Sequence, residues 1–131
     1  MWPFRPRGGP PLGARGEKMA RRLLKRRGMK ILARNYRCPA GEADLIALDC
    51  STRGQFGAET IVIVEVKTRR SDRYTSPAGA VDADKRRRLR KIADYYVATR
   101  HADDLNLRFD VVSVVIPEGQ QPRIEHIPNA F

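Results

Sequence analysis

The chain has 131 residues and a mass of 14.9 kDa, with 41% hydrophobic and 31% charged residues. That is the size of one domain, and the composition is too apolar for a disordered chain. No apolar run reaches the ~20 residues of a membrane-spanning helix. The first ten residues, Met1-Trp2-Pro3-Phe4-Arg5-Pro6-Arg7-Gly8-Gly9-Pro10, lack the apolar core of a secretory signal. Cys38 and Cys50 offer neither a disulfide framework nor zinc-type spacing. A reducing, cytoplasmic setting is expected, with no membrane.

The formal net charge is +11 and the pI is near 10.5. Twelve Lys/Arg and a single acid, Glu17, fall within residues 1–40, whereas the rest of the chain holds fourteen bases and fourteen acids. Clustered bases are rewarded by phosphates through counterion release, so nucleic acid is the expected partner. The competing reading is that an Arg-rich composition only keeps the protein soluble. An anionic membrane surface fits less well, because no strongly amphipathic terminal helix is visible.

Residues 1–12, with four prolines and two glycines, read as a flexible basic arm; residues 13–131 read as one folded domain. A helix is expected from about Ala14 to Arg27, its apolar stripe being Ala20, Leu23 and Leu24, with Gly28 as its stop. Met29 to Tyr36 reads as a strand, Cys38-Pro39-Ala40-Gly41 as a turn, and Glu42 to Asp49 as a second strand. Arg53-Gly54-Gln55-Phe56-Gly57 is expected to close a hairpin into Thr60-Ile61-Val62-Ile63-Val64-Glu65-Val66-Lys67. That run has β-branched residues on both faces, as a central, doubly covered strand does. A polar loop follows, then a helical turn at Ser76-Pro77. Asp82 caps a longer helix with the apolar face Leu89, Ile92, Ala93 and Tyr96, ending near Arg100. Leu107 to Ile116 and a short segment around Ile124-Glu125-His126-Ile127 complete the set. The order predicts an α/β sandwich with a mixed sheet of about five strands.

Several charged residues sit where burial is expected. Strand residues two apart share a side, so Glu65 and Lys67 share the face of Ile61 and Ile63. Asp44 shares the face of Ile46 and Leu48 on the neighbouring strand. A buried carboxylate without a partner costs several kcal/mol. Two acids with only Lys67 beside them therefore call for a cation. Glu17 lies at the edge of its helix stripe, three and seven residues before Ala20 and Leu24. Lys85 stands likewise four and seven before Leu89 and Ile92. Each has a plainer reading. Glu17 complements a helix dipole, Glu65 and Lys67 form a structural ion pair at a strand end, Asp44 ends a turn, and Lys85 is solvated.

Glu17, Gly41-Glu42-Ala43-Asp44-Leu45-Ile46-Ala47, Val64-Glu65-Val66-Lys67-Thr68 and Lys85 together resemble the YraN-like family of small bacterial proteins. The resemblance runs from about Gly13 to Phe131. It implies a restriction-endonuclease-like fold of the PD-(D/E)XK nuclease superfamily, in a layout similar to archaeal Holliday-junction resolvases. Ala43 stands where the superfamily's name has proline. The implied activity is metal-dependent hydrolysis of phosphodiester bonds in DNA, in repair or recombination on branched or damaged DNA. The alternative is a non-catalytic nucleic-acid-binding protein of the same fold, or a partner tethered to a larger machine.

On that resemblance Asp44 and Glu65 hold Mg²⁺ or Mn²⁺, with the Val66 carbonyl completing the set and Glu17 holding a metal-bound water or a second ion. Lys67 sits by the attacking water, and Lys85 contacts the scissile phosphate. Arg5, Arg7, Arg15, Arg21, Arg22, Lys25, Arg26, Arg27, Arg69, Arg70 and Arg86 are the expected contacts to the nucleic-acid backbone. A branched substrate implies a homodimer presenting two sites. Asp110 is expected to serve a structural or pairing function, and His101 and His126 are too isolated for a zinc site or a catalytic pair.

Overall fold

The computed structural model describes residues 11–71 and 81–131. The first ten residues of the expected arm, the Ser76-Pro77 turn and most of the polar loop lie outside the described residues.

Helix α1 spans Leu12–Arg26, β1 Lys30–Cys38, β2 Gly41–Asp49, β3 Thr60–Arg69, α3 Ala83–Thr99, β4 Asn106–Val115 and β5 Arg123–Ile127; a one-turn helix α2, Arg53–Phe56, lies between β2 and β3. The five strands form one sheet in the order β1-β2-β3-β4-β5. β1, β2 and β3 run antiparallel, and β5 is antiparallel to β4. β3 and β4 are parallel from Thr60↔Asn106 to Arg69↔Val115. A parallel neighbour requires a crossover, and α3 lies within it.

Alternation along β3 divides the core in two. Val62 and Val64 face α1, together with Leu45, Ala47, Val112 and Val114. Ile61 and Ile63 face α3, together with Ile46, Phe109 and Val111. α1 buries Gly16, Ala20 and Leu24, spaced four apart along one stripe. α3 buries Leu89, Ile92, Ala93 and Tyr96. Residues 60–65 of β3 are buried on both faces and residues 66–69 emerge half-exposed, so the strand runs out of the core into the region of the candidate site.

Three local departures from expectation have physical causes. α1 begins at Leu12, two residues early, because the Pro11 carbonyl already accepts from the Arg15 N–H at 3.1 Å. β1 reaches Cys38, because its ladder with β2 closes at Cys38↔Gly41 across the two-residue turn Pro39-Ala40. The expected tight hairpin at residues 53–57 is instead a 3₁₀ turn, Cys50–Thr52, running into α2. Asp49 Oδ1 accepts from the Ser51 N–H at 3.0 Å and from its hydroxyl at 2.6 Å, while Thr52 Oγ1 donates to the Ala58 carbonyl at 2.8 Å. Such short polar side chains divert the backbone from a strand into a turn.

The two helix ends that flank the sheet are set by single residues. Gly28 has φ +86°; its N–H bonds the Lys25 carbonyl at 3.0 Å and the Met29 N–H bonds the Leu24 carbonyl at 3.0 Å. This is the Schellman closure, with buried Met29 and Leu24 as its apolar contact. Asp82 Oδ1 accepts from the Lys85 N–H at 2.8 Å and starts α3. Gly16 permits the close approach of α1 to β3, since an added Cβ would stand 1.9 Å from Thr68 Oγ1.

Gly28→Ala should cost about 1–2 kcal/mol in denaturant unfolding, all of it conformational, because open space surrounds the position. Gly16→Ala should cost about 1–3 kcal/mol through overpacking, and adding Thr68→Ala should recover part of that loss.

Candidate active site

β2 and β3 pair from Asp49↔Thr60 to Leu45↔Val64 and then part, whereas β2 stays with β1 as far as Gly41. Beyond the fork the β3 backbone loses its ladder partner on the β2 side. The Val66 N–H is recovered by a side chain, donating to Asp44 Oδ2 at 2.8 Å. In a strand the N–H and C=O of one residue point to the same side, so the Val66 carbonyl faces the same gap.

Glu65, only 4% exposed, points to the α3 face beside Asp44. Lys85 of α3 brings its Nζ to 2.5 Å from Glu65 Oε1, and Lys67 Nζ stands 3.6 Å from the same oxygen. Burial pushes the Asp44 carboxyl up to about 6, and the negative charge of Glu65 adds to the shift. The Val66 hydrogen bond and the Lys85 charge oppose it without cancelling it. Burial works against the Lys85 ammonium too, but the hydrogen bond and charge of Glu65 outweigh it and raise its pKa.

Glu17 approaches from the other side of the sheet, on α1. Arg21 Nη1 donates to its Oε1 at 3.2 Å, and Arg34 Nε lies 3.6 Å from the same atom. It shares a cleft of about 370 Å³ with Gly13, Asp44, Val66, Lys67 and Thr68. Among the described residues no three His, Cys, Asp or Glu side chains are grouped closely enough to hold one ion. Asp44 and Glu65 meet; Glu17 lies along the rim, held by two arginines. The donors that face the gap, two carboxylates and a backbone carbonyl, are hard oxygens. They suit Mg²⁺, which needs only one or two protein carboxylates beside water and substrate.

The expected backbone contacts divide sharply. Arg5 and Arg7 lie outside the described residues. Arg21 is held by Glu17, and Arg27 Nη1 by His126 Nδ1 at 2.7 Å. Arg70 donates to the Ile116 carbonyl at 3.2 Å. Arg86 donates to the Val81 carbonyl at 3.0 Å and lies over the Phe131 ring. Arg69 has partners as well. Arg15, Arg22, Lys25 and Arg26 make no side-chain ion pair or hydrogen bond among the described residues, and neither do Lys18, Arg88 and Lys91. Arg88 and Lys91 belong to the basic run Lys85–Lys91, and Lys18 shares the helical phase of the free cations of α1.

Asp110 is wholly buried. It accepts from Arg108 Nε at 2.8 Å and Nη2 at 3.0 Å, from the Asn129 N–H at 2.9 Å, and pairs with His126 Nε2 at 2.7 Å. Burial would raise its pKa, but the bonds from His126, Arg108 and Asn129 hold the carboxyl below its ordinary value. Arg108 also reaches Asp49 Oδ2 at 2.9 Å. His126 is thus not isolated, as its sequence position suggested; the β4–β5 ladder, with Val112 opposite His126, brings it beside Asp110. With its side chain 3% exposed, it has a structural setting rather than an open one.

The raised Asp44 value fixes a sign. The folded chain holds that proton more tightly than the unfolded chain does, so the stabilisation is complete below about pH 4 and is lost as pH rises through about 6. Asp44→Asn keeps an acceptor for Val66 without the charge. Its stability relative to the parent should therefore rise by about 2–3 kcal/mol between pH 4 and pH 7 in paired denaturation curves.

Residues 16–114 match the model of the family described as "Uncharacterised protein family UPF0102". A UPF0102 protein of Nocardia farcinica is 45% identical over 92% of this chain and 88% of its own length. One from Geobacter metallireducens is 46% identical over 92% and 91%, and one from Syntrophus aciditrophicus 48% identical over 91% and 87%. Identity at this level across nearly the whole length places the chain in a family: it belongs to UPF0102, the YraN-like proteins.

Proposed function

We propose that the chain is a metal-dependent endonuclease of restriction-endonuclease-like fold, hydrolysing phosphodiester bonds in DNA in repair or recombination. One observation carries the reading. Asp44 and Glu65, from two strands, meet where those strands part, with Lys67 and Lys85 on the same carboxylate. A mixed five-stranded sheet with a helix on each face agrees with the nuclease layout that the sequence resembles.

Mg²⁺ or Mn²⁺, held by Asp44, Glu65 and the Val66 carbonyl, would supply charge neutralisation at the attacked phosphate and a more acidic water. The chain's own groups do the rest. Asp44 must be ionised to act as a ligand, so its raised pKa of about 6 would weaken loading of the site as pH falls through that range. Lys67 offers an ammonium to charge developing on the phosphate oxygens. Lys85 offers a second, which exchanges its Glu65 contact for a phosphate contact. Glu17 accepts from a water in the cleft once its arginines turn to the backbone of the substrate.

A second reading, a nucleic-acid-binding protein without turnover, is favoured by a specific feature: Lys85 and Lys67 already neutralise Glu65, and Glu17 stands apart. A panel of linear, flap, four-way and single-stranded substrates with Mg²⁺ or Mn²⁺ separates the two. Asp44→Ala should abolish cleavage and leave DNA affinity equal or tighter, since a repelling charge is gone. Cleavage that survives the substitution assigns the activity elsewhere. A parent protein that binds the panel but cuts none of it leaves the non-catalytic reading.

A further inference from the structure

We infer that the outer face of α1 is a track along which a phosphodiester strand leaves the cleft, a deepening that rests on the nucleic-acid side of the reading above. At 100° per residue, Arg15, Lys18, Arg22, Lys25 and Arg26 fall within a sector about 100° wide, opposite the buried stripe of Gly16, Ala20 and Leu24. They extend over about 16 Å of helix, enough for several consecutive phosphates.

Three observations distinguish this row from ordinary surface charge. First, all five side chains lack ion pairs and hydrogen bonds among the described residues, while Arg21 on the same helix and Arg27 at its C-cap are engaged. Second, the row repels itself along the helix, although Lys25 and Arg26 in the last turn complement the dipole. Arg15–Lys18, Lys18–Arg22, Arg22–Lys25 and Arg22–Arg26 are like-charged neighbours at three- or four-residue spacing, each unfavourable by a few tenths of a kcal/mol. No acid occupies the first turn to offset the dipole. The only acid of α1, Glu17, lies away from the row and is held by Arg21 and Arg34. Third, the row starts level with the site. Gly13 and Glu17, two residues either side of Arg15 and on the opposite side of the helix, line the cleft that holds Asp44 and Lys67.

The basic run Lys85-Arg86-Arg87-Arg88-Leu89-Arg90-Lys91 on α3 behaves differently. Arg87 pairs with Asp84, Arg86 bonds the Val81 carbonyl, and Arg86 and Arg90 lie over the Phe131 ring. Most of that cluster serves the fold, so the uncompensated charge of the described chain is concentrated on α1. A row with no acid in it is complementary to a polyanion of matching repeat, which a nucleic-acid strand supplies.

The test measures binding of the full chain without divalent metal, so that cleavage plays no part. Fluorescence anisotropy with a labelled duplex and a labelled single strand is followed across salt concentration. Lys18→Gln/Arg22→Gln/Lys25→Gln keeps helix propensity and removes three charges. It should weaken binding at least tenfold and flatten the plot of log affinity against log salt by about 2.7 on duplex or about 2.1 on single strand. Loss of two charges outside α1, Arg53→Gln/Arg100→Gln, should leave the slope unchanged. If the triple variant loses its helical circular dichroism, Arg22→Gln alone should still shift the duplex slope by about 0.9. An unchanged slope, or an equal shift in the control, overturns the track. So does a triple variant that keeps its nucleic-acid affinity but loses binding to phosphatidylserine–phosphatidylcholine vesicles, which would make α1 a membrane face. Absence of cleavage with the slope shift intact removes the hydrolase and leaves the track.

Discussion

Val66 donates its backbone N–H to a carboxylate because β2 has already left β3. That single bond holds open a fork in a sheet that would otherwise zip to its end. If the strands paired past Leu45↔Val64, ladder bonds would satisfy Val66 and fill the gap that its carbonyl now faces. Asp44 reaches across the fork and supplies the acceptor that the β2 backbone no longer offers. The same residue is therefore a structural acceptor and an acid whose pKa is raised by burial and by the charge of Glu65.

Two layers of charge are arranged around the fork by two helices on opposite faces. α3 delivers Lys85 to Glu65, its first turn fixed by the Asp82 cap. α1 brings Glu17 to the rim, its distance from β3 set by the missing side chain at Gly16. Neither helix carries the pair of acids itself, which belongs to the strands. Repositioning a helix would therefore alter which cations reach the carboxylates without dispersing the carboxylates themselves.

Much of this was legible in the residues. Period-two alternation placed Glu65 and Asp44 on one face, and the apolar run before Glu65 showed that the face was buried. Helical phase put Lys85 on the side of Leu89 and Ile92, and Gly28 announced the end of α1. What escaped was competition between partners. Glu17 has the right phase to join the strand acids, but Arg21 and Arg34 take it first, and a one-dimensional pattern does not rank a local arginine against a distant ion. The connection after Asp49 was misjudged for a similar reason: side-chain bonds within Asp49, Ser51 and Thr52 turned an apparent hairpin into helical turns. The Asp49–Arg108–Asp110–His126 chain joins residues up to 77 positions apart through three ladders, and none of its members carries a local signal.

That chain ends on α1. Arg27 can only donate, so His126 Nδ1 must accept and its other nitrogen carries the hydrogen that Asp110 receives. The ring is thereby confined to one tautomer, and the last residue of the helix cap is moored to β5 while the opposite end rests against Thr68. A rod fastened at both ends presents its cations already in place. On the proposed track, little backbone freedom would remain for an incoming polymer to quench, which would conserve affinity that a loose basic tail forfeits on ordering.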